Sequence, residues 1–295
     1  MASTQLLKRR VRSIGNTKQI TKAMELVAAA RLRRIQDEAR QSRIYSDAAI
    51  AILRRMGQSP EVARHPFFTP PASKAKLYIT FNSDRGLAGA YNSNIFNVVA
   101  RAVTDDHKNG FQPSVIAYGR KGAHHFSRGS NVELVGAYEG IADNPDINLF
   151  APVMETITAG INEGRFSAVS LIFTESISTM VQQVRNLQLI PIVGNDQAAE
   201  ANGEAENQGN TVFEMEPDGQ TVLDAAIRLY LESSLRRAHV EAAASEHAMR
   251  MISMGNANRN AGDLIDSLTL ELNATRQAHI TQEMAEIIGG AEAIA

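Results

Sequence analysis

A chain of 295 residues with 44% hydrophobic composition is long enough to bury a sizeable core, and its length suggests about two domains. A formal net charge of −2 gives no global pull toward nucleic acid or anionic lipid, and the absence of Cys excludes disulfides, thiolate catalysis and cysteine-ligated zinc. No apolar run approaches the roughly 18–20 residues of a membrane span, MASTQLLKRR lacks the apolar stretch of a signal peptide, and a Cys-free chain favours a reducing compartment.

Residues 1–58 are expected to form one long helix. All nine prolines lie between Pro60 and Pro217, and the first 56 residues contain a single glycine, Gly15. Leu7, Val11, Ile14, Thr17, Thr21, Met24, Ala28 and Leu32 recur at steps of three and four, close to coiled-coil spacing. Residues 1–57 also carry 13 Lys and Arg against 4 Asp and Glu, a local +9 that leaves −11 for the rest of the chain. Within this helix QITKAMELVAAARLRRIQ (19–36) is rich in Ala and has no Gly, Pro or aromatic residue.

Residues 74–195 read as an α/β domain. KLYITF (76–81), SVIAYG (114–119), NVELVGAY (131–138), AVSLIFTES (168–176) and VQQVRNLQLIP (181–191) are the expected strands. Between them lie a helix carrying Ile95, Val98, Val99 and Ala102, and a second from Pro152 to Asn162 with Val153, Ile157 and Ile161 on one face. The alternation argues for a layered, largely parallel sheet. Residues 196–217 fall in an acidic, aperiodic stretch that reads as a loop. Residues 218–295 then form a second long helix, with Ala257, Ala261, Leu264, Leu268, Leu272, Thr275 and Ala278 as its seam. Each long helix would reach roughly 80–110 Å, and the two most simply pair antiparallel. The alternative is two broken bundles, with Gly255 and Gly262 as break points.

Candidate chemistry is sparse. His124 and His125 are adjacent, the other histidines are scattered, and nothing has metal-ligand spacing. Ser83 and Asp84 follow a strand without a nucleophile elbow. SDRGLAGAYNSN (83–94) leaves open a nucleotide-binding α/β protein with coiled-coil arms. It lacks G-x-G-x-x-G and P-loop spacing, so Gly86 and Gly89 are assigned to a turn and to close packing. The reading is therefore no catalytic, cofactor or metal site. A nucleic-acid arm would want stacking aromatics beside the basic residues, and a lipid-binding helix a bulkier apolar face. Residues 19–36 are expected to face an acidic protein surface through shallow contacts.

NTKQITKAMELVAAARLRR (16–34), SDRGLAGAYN (83–92) and RNAGDLIDSLTLELNATRQAHITQEMAEIIGGA (259–291) closely resemble the gamma subunit family of F-type ATP synthases. The resemblance implies an α/β fold class: a long antiparallel coiled coil of N- and C-terminal helices plus a central Rossmann-like α/β domain. It implies a rotor of the central stalk, coupling ion-driven rotation of the c-subunit ring to ATP synthesis and hydrolysis on beta. The gamma subunit itself would have no active site. Implied partners are the alpha and beta subunits, the epsilon subunit and the c ring. The implied place is peripheral on the cytoplasmic face of the bacterial inner membrane, or on the matrix side of the mitochondrial one. Met24 matches the family's position near an acidic loop of beta. Arg276, Gln277, Thr281 and Glu283 match positions that hold a catch loop of beta, and IIGGAEAIA (287–295) suits an apolar bearing. In FEMEPD (213–218), Phe213, Glu216 and Asp218 match the segment facing the c ring and epsilon. Ala88 stands where many members carry Cys, which excludes thiol–disulfide control in a chain without cysteine.

Overall fold

The computed structural model describes residues 2–57, 59–129, 131–141, 143, 147–192 and 218–292. The chain divides into two compact units, one of residues 1–30 with 250–295 and one of residues 31–249. Two long helices contribute to both. Helix α1 runs unbroken from Ala2 to Met56, and α6 from Gly219 to Glu292. Neither contains proline, and Gly15, Gly255 and Gly262 all sit inside continuous helix, so the broken-bundle alternative is not what forms.

The unit of residues 31–249 is built on a five-stranded sheet, β1 (Ala75–Phe81), β2 (Gln112–Tyr118), β3 (Glu133–Tyr138), β4 (Ala168–Ser176) and β5 (Gln182–Ile190), in the order β3-β2-β1-β4-β5. The first four strands are parallel, and β5 returns antiparallel to β4. The expected strands are all present. β1 and β2 are nearly continuous buried runs because both of their faces are covered, whereas the edge strand β3 alternates in burial. Tyr78, Val115, Ala117 and Ile172 pack beneath α3 (Tyr91–Lys108) and α4 (Arg120–Ser127) through Ile95, Val99 and Phe126. On the other face Leu77, Ile79, Phe81, Ile116 and Leu171 meet α5 (Ala151–Asn162), the end of α1 and the start of α6 through Val153, Ile157, Leu53, Ile227 and Leu235. A short helix, α2 (Pro60–Ala63), follows α1. Pro152 lies in the first turn of α5, where its missing N–H costs nothing.

Helix α4 was not anticipated. His124 and His125 lie on it, and the His125 ring stacks on Phe96 with centroids 3.8 Å apart. In the same unit α6 is enclosed on all sides: every residue from Ala238 to Ser245 is buried. Ala238 and Ala242–Ala244 make this possible, because small side chains let neighbouring elements approach the helix from every direction.

Candidate partner-binding surfaces on the two long helices

In the unit of residues 1–30 and 250–295, the two helices run antiparallel. Lys18 Nζ lies over Gly262 and the Glu25 carboxyl lies over Gly255, so the α6 partner descends in number as α1 ascends. The two charged residues are one heptad apart, as are the two glycines. Each of these charged side chains reaches across to a position on α6 that carries no side chain of its own. On α1 the inward positions include Leu7, Val11, Ile14, Thr21 and Ala28, while Thr17 is exposed. On α6 they are Met254, Asn258, Ala261, Ile265, Leu268, Leu272 and Thr275, alternating steps of four and three. Leu264 and Ala278, expected in the seam, are exposed instead; Ile265 takes the inward place because the 3.5-residue period lands there.

Met24 is half-buried and lies on one stripe with Ile20 and Val27, at spacings of four and three. Ile20 is 60% exposed and Val27 55%, so this outward face carries more apolar surface than the shallow Ala-rich contact expected from residues 19–36. Toward the N-terminus of α1, Lys8, Arg9, Arg10 and Arg12 are exposed, whereas Lys18 reaches toward Gly262 and Lys22 pairs with Glu25 at 3.2 Å. The exposed surface of α1 therefore combines an apolar stripe with a run of cations toward its N-terminus, a composition suited to a protein partner bearing carboxylates.

Arg276, Gln277, Thr281 and Glu283 are exposed on α6. At about 100° per residue, Arg276 and Glu283 share one face, and Gln277 and Thr281 the next. The Thr281 hydroxyl donates to the Gln277 carbonyl at 3.0 Å, and among the described residues no ion pair engages Arg276 or Glu283. Their charges are available to another chain. Further along, Ile280, Met284, Ile287 and Ile288 are 46–71% exposed. Phe213 and Glu216 lie outside the described residues. Asp218 caps α6: its carboxylate accepts from the Thr221 N–H at 2.9 Å and the Thr221 hydroxyl at 2.7 Å. Those bonds hold its carboxyl below the ordinary value.

In the α/β unit the crevice beyond the carboxyl ends of β1 and β4, where a doubly wound sheet would take a nucleotide, is filled by α6. The Ser245 hydroxyl donates to the Thr174 carbonyl at 2.9 Å, and His239 packs edge-on against Phe81. The turn at residues 83–92 is held by hydrogen bonds within itself and to the loops that follow β2 and β3. Asp84 accepts from the N–H groups of Arg120 and Gly140, and the Asn92 side chain bonds both the N–H and the hydroxyl of Ser83. Gly89 adopts a left-handed φ of 58°, which explains the glycine there; a Cβ at Gly86 would meet nothing within 4 Å. Among the described residues no cluster of three or more potential ligands could hold a metal ion, and no helix is long and apolar enough to cross a membrane.

The same crevice holds a feature that the sequence reading missed. Glu241 of α6, with 2% of its side chain exposed, accepts from Arg43 of α1 at 3.1 and 2.5 Å and from the Ser176 N–H at the end of β4 at 3.2 Å. Arg43 also pairs with Glu175 at 3.2 Å, Glu175 with Arg185 of β5 at 2.7 Å, and Asp47 of α1 with Arg237 of α6 at 2.7 Å. Burial pulls the Arg43 guanidinium toward deprotonation, but the bond and charge of Glu241, with Glu175 and Asp47, raise its pKa overall. A glutamate alone in the small, otherwise nearly apolar run VEAAAS was the available sequence signal. Nearby, Asp143 accepts from His247 at 3.1 Å and faces Arg31 at 3.5 Å, bridging α6 and α1 at a further point.

A family model described as ATP synthase matches residues 3–294. An ATP synthase gamma chain of Heliobacterium modesticaldum is 36% identical over 291 residues, covering 98% of each chain. Those of Legionella pneumophila and Nitrosococcus oceani are 33% and 34% identical over the full length of both. Among solved structures, a chain of the Tetrahymena thermophila mitochondrial ATP synthase central stalk and c ring is similar with a TM-score of 0.62 and 24% identity, covering 81% of this chain and 99% of that one. A chain of the Euglena gracilis mitochondrial ATP synthase aligns over 99% of this chain and 95% of its own, with a TM-score of 0.68 and 17% identity. These likenesses carry the fold.

Proposed function

The chain belongs to the ATP synthase gamma-chain family and is a central-stalk subunit, and from that premise we propose that it is a rotor without a catalytic site of its own. Residues 1–58 and 218–295 form its shaft, 74–195 its foot, and 196–217 an acidic loop and ring-facing segment. The foot rests on the c ring and binds the epsilon subunit; the shaft turns inside the ring of alpha and beta subunits. The observation that carries this reading is the antiparallel pair of helices from opposite ends of the chain, with Arg276, Gln277, Thr281 and Glu283 exposed on the stretch of α6 that ends it.

The chemistry divides between two surfaces. The α1 face around Met24 gives a long-ranged attraction to carboxylates on beta, tolerant of angle and therefore compatible with turning. The four α6 residues give directional hydrogen bonds, which grip a loop of beta at one angle. Asp218 serves the ring- and epsilon-facing segment together with Phe213 and Glu216. The bacterial relatives support a peripheral place on the cytoplasmic face of the inner membrane.

The test is reconstitution with alpha and beta subunits of the same complex. We expect one copy per three beta subunits, ATP hydrolysis by the complex and none by the chain alone. Arg276→Ala and Gln277→Ala are expected to lower coupled ATP synthesis at least about tenfold, the loss of one or two charge-assisted bonds, while the isolated variants fold as the parent does. Unchanged synthesis in both variants overturns the grip at this place.

A further inference from the structure

Torque between a sheet and two helices must cross side-chain contacts, because the strands and the helices share no backbone ladder. Apolar packing resists compression, but packed elements slide past one another by small shear motions. A buried carboxylate holding two elements at once resists shear differently. Sliding either element leaves its charge uncompensated in a low-dielectric interior.

Glu241 is such a carboxylate, and its two oxygens serve different elements. Oε1 accepts the Arg43 fork from α1 at 3.1 and 2.5 Å, while Oε2 accepts the Ser176 N–H at the end of β4 at 3.2 Å. Since Glu241 itself belongs to α6, one side chain joins both long helices to the sheet. Glu175, 14% exposed at its side chain, extends the junction from Arg43 to Arg185 on β5, and Arg237 with Asp47 adds a second α6–α1 link. Three cations and three carboxylates balance, so the cluster carries no net charge to be screened or repelled.

We propose that Glu241 is a torque-positioning residue: its charged junction with Arg43 and Ser176 locks both long helices to the α/β sheet and sets the torsional stiffness between them. This rests on the rotor reading. A Gln at position 241 retains one acceptor oxygen for two donors and places an amide N–H against the other. Loss of the buried carboxylate charge and of one of its two acceptor oxygens loosens the hold on both partners, so Glu241→Gln should broaden the angular variance across the junction.

The absence of Cys allows one label, at Lys108→Cys on α3, whose parent side chain is 70% exposed. In an immobilised complex with alpha and beta subunits, single-molecule tracking of a rod on that site reads the angular variance during the ATP-waiting pause. We expect a broadened variance for Glu241→Gln and for Arg43→Lys, with unloaded rotation speed unchanged. Asp47→Asn, at the solvent-facing link, should broaden it less. A purely structural role would lower the melting temperature of the isolated chain yet leave the variance at 25 °C untouched, and that result overturns the proposal. If Glu241→Gln does not assemble, Arg43→Lys decides on the same criterion. A parent complex that assembles but never rotates refutes the rotor reading instead, whatever the variants do.

Discussion

Asp143 holds two helices with one carboxylate, bonded to His247 of α6 and facing Arg31 of α1. The hydrogen bond from His247 holds its pKa below the ordinary 3.8; burial opposes this, and the charges of His247, Arg31 and His239 assist. A depressed carboxylate pKa stabilises the fold above the unfolded value and loses that contribution as pH falls through the folded value. The stability gap between the parent and Asp143→Asn should therefore be full at pH 6 and close as pH drops below about 4, the ordinary range for Asp. Urea unfolding at a series of pH values measures it; a gap that widened toward acid would contradict the assignment. The family likeness proposes Asp218 as a ring-facing residue; its hydrogen bonds are those of a helix cap. At the start of α6 it caps the helix, and Asp218→Ala should fray the first turn, read as faster amide exchange at Thr221.

Helix boundaries were the most legible elements, because the absence of Pro and the three-four spacing act over many residues at once. The five strands were legible for the same reason: their apolar runs are long and bounded by turns. Helix α4 escaped because RKGAHHFS has eight residues, a glycine and paired histidines, with too few apolar positions to show a period. The seam of α6 slipped by one residue at Leu264, since Leu264 and Ile265 are adjacent and only pairing with α1 chooses between them. Gly255 and Gly262 looked like breaks, yet each leaves room for a charged α1 side chain. A Cβ at Gly255 would sit at an ordinary 3.6 Å from the Glu25 carboxyl, and one at Gly15 would touch nothing. Gly255→Ala and Gly15→Ala should each stabilise the chain by about 0.5–1 kcal/mol through helix propensity, measured by denaturant midpoint at unchanged slope. Gly119→Ala should do the reverse, because φ is +94° and a Cβ there collides with the Asn82 carbonyl.

Across the whole molecule, charge and rigidity are divided. The first 57 residues carry +9 within a chain of −2, so the basic helix attracts an acidic partner that the remainder would repel. Association with alpha and beta subunits should slow several-fold between about 0.05 and 0.5 M salt, as the screening length falls below the spacing of the surface charges. The rate for a chain with Arg9, Arg10 and Arg12 changed to Gln should be lower at low salt and much less salt-dependent. Equal salt slopes for the two chains would remove the electrostatic role. The candidate contact residues on α6 could not be found from spacing, because exposed polar residues on a helix look alike until a partner is present. The Glu241 junction was hidden for the opposite reason: its partners lie 198 and 65 residues away in sequence.

Pairing α1 with α6 also sets an order of events during synthesis. Helix α1 leaves the ribosome first, with Leu32, Ile35, Leu53 and Met56 ready for burial, yet α6 begins only at Gly219. At translation rates of about 5–20 residues per second, the first helix waits roughly 10 to 40 s for its mate. Throughout that interval its apolar stripe is open to chaperones and to other nascent chains. A fragment ending before Asp218 should therefore bind hydrophobic dyes and associate with itself, while the full chain does neither at the same concentration.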